Sequence, residues 1–110
     1  MNEDNKTTGE RYWKTGEDLY IGDPFGDAIE LSVEEYEYEK LKRLEIKVRE
    51  ERDCLIAAVE WRIRRYQDQI ILGIEPTENV IPVLQYIQAL RDVPQQEGFP
   101  TNIVWPEAPV

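Results

Sequence analysis

The sequence predicts an α+β fold, and three features of its 110 residues carry that prediction. Short aromatic segments broken by glycine come first. A run of about forty residues without glycine or proline follows, and then a second, shorter run with apolar residues at helical spacing. The expected architecture is a small N-terminal β-hairpin or mini-sheet, a long α-helix, a shorter antiparallel helix and a proline-rich extended C-terminal tail. The corresponding segments are a disordered lead at 1–9, a small β region at 10–31, a helical hairpin at 32–94 and a tail at 95–110.

Each element has its own signals. Residues 1–9 are polar and end in Thr7-Thr8-Gly9. The pair Arg11-Tyr12-Trp13-Lys14 and Asp18-Leu19-Tyr20-Ile21 flanks a Thr15-Gly16 turn, the pattern of a hairpin. Gly22-Asp23-Pro24-Phe25-Gly26-Asp27 is dense in turn formers, and Ala28-Ile29-Glu30-Leu31 suits a third brief strand. So small a sheet is marginal in water and is expected to lean on a helix or a neighbour.

Ser32-Val33-Glu34-Glu35 reads as a capping box, with hydroxyl and carboxylate each satisfying the other residue's backbone N–H. From there the helix is uninterrupted to Gly73, roughly 60 Å at 1.5 Å per residue. Leu41, Leu44, Val48, Leu55, Val59, Ile63, Tyr66 and Ile70 form its apolar stripe. Between Glu45 and Asp53 the helix carries alternating charges, including Glu45 and Arg49 at pairing distance. The segment Leu55 to Ile63 is apolar on more than one face, which places the deepest burial there. Gly73 is the expected C-cap, and Pro76 blocks continuation. Thr77 offers an N-cap for the second helix, with Pro82 about one turn inside and a start near Asn79. Val83, Tyr86, Ile87, Leu90 and Val93 make its apolar face. The tail beyond, with Pro94, Pro100, Pro106 and Pro109, is too apolar for a solvated terminus and too rich in proline for a sheet centre.

Composition narrows the function. The formal net charge of -10 argues against nucleic-acid binding, which needs a basic surface. An apolar fraction of 41% implies a thin core, part of whose burial is expected from a partner or a second copy. The polar start does not match a secretory signal, and no apolar run approaches the roughly 18 residues of a membrane span. Histidine is absent, so Ser/His/Asp and Cys/His arrangements cannot form within the chain. The lone Cys54 lacks a zinc-site partner and reads as a small buried residue. No cofactor, metal or enzymatic activity is expected.

Two acidic clusters, Glu34 to Glu39 and Asp23, Asp27 and Glu30, are explained by helix-dipole and turn chemistry. The arginines at 62, 64 and 65 are expected to pair with acids such as Glu60 and Asp68, or to meet a partner's carboxylates. Trp61, in the most apolar part of the helix, is most simply core. Trp105 is either a plug closing the hairpin or an exposed anchor for a partner.

Glu51-Arg52-Asp53-Cys54-Leu55-Ile56-Ala57 followed by Trp61-Arg62 resembles a segment of phage tail assembly chaperones. Tyr86 to Pro94, Gly98-Phe99-Pro100 and Val104-Trp105-Pro106 resemble that family's closing signature. The front half is similar, more loosely, to tail fibre assembly proteins of tailed phages and phage-tail-like bacteriocins. The residues concerned are Thr15-Gly16, Pro24, Asp27 to Ser32 and Glu34-Glu35-Tyr36.

The resemblance implies a non-catalytic chaperone in the bacterial host cytosol that binds a tail fibre polypeptide, expected at its C-terminal region, and brings it to its trimeric state. The expected contacts are Trp105, Phe99 and Val104, with Tyr86 and Trp61 behind them and Tyr12, Trp13 and Tyr20 as a second surface. Every one of these residues also suits a core. A homodimer through the Leu41–Val48 half of the long helix is a further expectation. Two other readings stand beside the chaperone: a structural component retained on the finished fibre or tail tip, and an acidic inhibitor-type binder. The last predicts steep salt dependence.

Overall fold

A computed structural model of the chain describes residues 10–110 except 17 and 25; the lead at 1–9 lies outside the described residues. Its first elements are three strands, Tyr12–Thr15 (β1), Asp18–Ile21 (β2) and Ile29–Leu31 (β3). They form an antiparallel sheet in the order β2-β1-β3, with Trp13 opposite Tyr20 on one side and Glu30 on the other. Gly16, at φ 57°, supplies the left-handed backbone that the turn after β1 requires.

Trp13 is buried, its indole N–H donating to the Gly22 carbonyl at 2.7 Å and the Arg11 guanidinium lying 4.7 Å over its ring. Arg11 also donates through two nitrogens to Glu30 on β3. The sheet leans on the start of a long helix, Val33–Leu72 (α1), of 40 residues. There the rings of Tyr12 and Tyr36 meet at 4.7 Å, and Lys14 pairs with Glu39 at 3.4 Å.

Both ends of α1 follow local sequence chemistry. The Glu35 N–H donates to Ser32 Oγ at 3.0 Å, and the Ser32 N–H donates to the Glu35 carboxylate at 2.9 Å, which is the expected capping box. At the other end Gly73 takes φ 71°, with Gly73 N–H bonded to the Ile70 carbonyl and Ile74 N–H to the Gln69 carbonyl. This is a Schellman stop.

The second helix, Ile81–Arg91 (α2), starts later than expected. Thr77 is not its cap: the Thr77 N–H and hydroxyl are both taken by the Gln69 side chain, at 2.9 and 2.8 Å. Asn79 Oδ1 accepts from the Ile81 N–H instead, at 3.0 Å. Pro82 is the second residue of the helix, where its missing N–H removes no helical bond. A short 3-10 turn, Val93–Gln95, follows.

Burial is concentrated on and beside α2. Val80, Val83, Tyr86, Ile87, Leu90 and Val93 are buried, with Val83, Leu90 and Val93 at 0% exposure. This corrects the expectation of deepest burial at Leu55–Ile63. There Leu55, Ile56, Val59 and Ile63 are half-buried, while Ala57, Ala58 and Trp61 are exposed. Cys54 is exposed too, against expectation. A helical run that is apolar on several faces does not dictate that every face be covered, and α1 is covered over only part of its circumference. The chain divides into two compact units, with the boundary between Leu44 and Glu45, inside α1.

Candidate functional site

In the second unit, three side chains tie the linker and the tail to α1. Arg62 donates from Nε to Glu78 at 2.9 Å, and from its terminal nitrogens to the main-chain oxygens of Pro109 and Val110, both at 3.1 Å. Arg65 reaches the same carboxylate at 2.7 Å. The hydrogen bond from Arg62, with Arg65 adding to it, holds the Glu78 carboxyl below the usual range, and the same bond raises Arg62. From the sequence these arginines were expected to pair with acids such as Glu60 and Asp68, or to meet a partner's carboxylates. The structure chooses Glu78, an acid in the connection between the helices and too remote in sequence for helix spacing to reveal.

Arg65 has a second role. Its guanidinium lies 4.9 Å over the ring of Trp61, so the chain Arg62–Glu78–Arg65 holds the position of that indole. Trp61 is 56% exposed rather than core. It forms one wall of an open groove of about 420 Å³ between α1 and α2. Ile63 and Ile87 contribute apolar surface, and Leu84, 46% exposed, adds more from α2. Glu60, Arg64, Gln67 and Arg91 complete the lining. The groove thus offers an exposed rigid aromatic, aliphatic surface and two guanidinium groups, a set suited to binding a side chain or peptide.

The tail is organised rather than merely extended. The Gln96 amide donates to the Val104 carbonyl at 2.8 Å and accepts from the Val104 N–H at 2.9 Å, closing the segment between them into a loop. Inside it, the Asn102 N–H donates to the Gly98 carbonyl at 2.7 Å, and a Cβ on Gly98 would collide with the Asn102 carbonyl. Phe99 is half-buried beneath the Arg49 guanidinium, 5.3 Å from its ring.

The expected contact residues therefore occupy different settings. Trp61 and Val104 are exposed, the latter at 75%. Trp105, Phe99, Tyr12 and Tyr20 are half-buried, while Tyr86 and Trp13 are buried. Trp61 alone among them lines the groove. The sequence reading missed Leu84, Ile87 and Arg91. Their spacing of three and four places them on one face of α2, as Trp61 and Arg64 share one of α1. What the sequence lacked was a sign that these two faces meet.

A family model of phage tail assembly chaperone proteins matches residues 45–110. The chain belongs to that family. The match coincides with the second compact unit, Glu45–Val110, so the groove and the clamped tail both fall inside the part that defines the family. Membership supports a non-catalytic role in tail assembly and a phage tail protein as partner. Among the described residues no helix of this chaperone is long and apolar enough to cross a membrane. No curated protein and no solved structure matches the chain.

Proposed function

We propose that the protein is a non-catalytic assembly chaperone that binds a tail fibre polypeptide and promotes its folding and trimerisation in the host cytosol. The observation that carries this reading is an open apolar groove, walled by an exposed tryptophan, inside the family-defining unit. Fibre subunits are rich in β-structure, and before trimerisation they present edges and apolar patches that aggregate. A groove whose tryptophan is already held in place covers such a patch with little loss of side-chain freedom. The formal charge of -10 also disfavours self-association of the chaperone.

Co-expression with the fibre polypeptide, followed by size-exclusion chromatography with light scattering, tests the proposal. The expected result is soluble trimeric fibre only when the chaperone is present. A fibre that trimerises equally well alone, with no co-elution, overturns it.

A further inference from the structure

The charges of the second unit are distributed unevenly. Arg49, Arg52, Arg62 and Arg65 are engaged in ion pairs, at separations from 2.5 to 3.2 Å. Among the described residues of this unit, Lys47, Arg64 and Arg91 form none. Two of these three, Arg64 from α1 and Arg91 from α2, line the same groove. Both are exposed, and Glu60 is the one carboxylate in that lining. In a chain of net charge -10, acids are plentiful enough to neutralise a cation at most surface positions. Two guanidinium groups that form no ion pair, beside an apolar surface, mark a place where negative charge from outside is accommodated, and planar guanidinium is the group best matched to carboxylate.

We propose that the groove seats a segment of the partner tail polypeptide that is apolar in its centre and carries carboxylates at its flanks. The apolar side chains lie against Trp61, Ile63 and Leu84, and the carboxylates meet Arg64 and Arg91. The inference rests on the chaperone reading for the existence of a tail partner, and adds which surface of this chain takes it and what chemistry the segment must have. It also explains how an acidic chaperone holds an acidic segment. Elsewhere its net negative charge repels such a segment, which favours attachment at the groove, where two cations that form no ion pair lie beside apolar surface.

Photo-crosslinking in assembling cells tests this, with benzoyl-phenylalanine replacing Leu84 in the full-length chain, and Gln67 in a second variant in case the first fails to fold. The cross-linked peptide is identified by mass spectrometry. The expected result is an apolar tail-protein segment with flanking Asp or Glu, captured about tenfold less when Arg64→Glu and Arg91→Glu are added. Lys47→Glu, on the same unit but outside the groove, is expected to leave the yield unchanged. Cross-links to a second copy of this chain, to segments without acidic residues, or to nothing overturn the inference, as does a yield indifferent to the arginine reversals. A qualifying segment from a tail protein other than the fibre leaves the groove assignment standing and removes the fibre from the proposed function.

Discussion

The sheet of β1, β2 and β3 and the helical unit from Glu45 onward are held together by different means. Around the sheet two large residues are buried, Trp13 and Tyr36, and the remaining ties are exposed or half-exposed polar pairs such as Arg11–Glu30 and Lys14–Glu39. The helical unit buries a continuous run of aliphatics along α2 and secures its connections with side chains that each make several bonds. Buried apolar area resists salt and tolerates loss of one polar contact, whereas exposed pairs contribute little and are screened. The family-defining half is thus the half with a core of its own.

The most damaging test of that contrast is Leu90→Ala. Leu90 is at 0% exposure, and the substitution is expected to cost about 2–5 kcal/mol in urea denaturation. A cost under about 0.5 kcal/mol, the range of surface changes, would remove the distinction between the regions. Next comes Gly98→Ala, which forces the new methyl against the Asn102 carbonyl. We expect a loss of about 1–3 kcal/mol, read as a lower thermal midpoint. Unchanged melting would mean the tail loop contributes nothing to the unit.

In the sheet the expected effects are smaller. Trp13→Phe keeps an aromatic ring but removes the donor to Gly22 and part of the buried indole, with an expected cost of about 1–2 kcal/mol. A larger loss than that of Leu90→Ala would reverse the comparison.

Acid sensitivity gives the finest discrimination. The Arg11 bond lowers the Glu30 carboxyl in the sheet just as the Arg62 and Arg65 bonds lower Glu78 in the helical unit. A carboxyl that titrates lower when folded stabilises the protein above the ordinary carboxylate range, about pH 4, and loses that contribution as pH falls through the folded value. Stability is therefore expected to decline on acidification. Glu78→Gln and Glu30→Gln should each flatten the decline, followed by circular dichroism from about pH 6 to pH 3. An acid limb as steep as that of the unaltered chain would show that neither pair is linked to folding.

Much of the fold was legible because its signals are local. The Ser32–Glu35 box, the Gly73 stop and the aromatic strands around Gly16 each declare themselves within about four residues. The site was legible only in part. Periodicity indicates that a helix has an apolar face but not what covers it, so Trp61 and Cys54 read as core although both are exposed. Arg62 meets partners 16, 47 and 48 residues away, and no spacing rule reaches that far. Arg64 and Arg91 acquire meaning only through the ion pairs they do not make, which composition cannot reveal.

The Gln96 clamp has a consequence for the proposed binding of a strand-rich fibre. Val104 has its side chain in solvent, yet its main-chain N–H and C=O are both satisfied by one glutamine amide. An exposed apolar residue with free main-chain groups would ordinarily invite a neighbouring strand to add alongside it. Here the amide already occupies the positions that such a strand would fill, so at Val104 the tail presents an apolar surface without presenting a template.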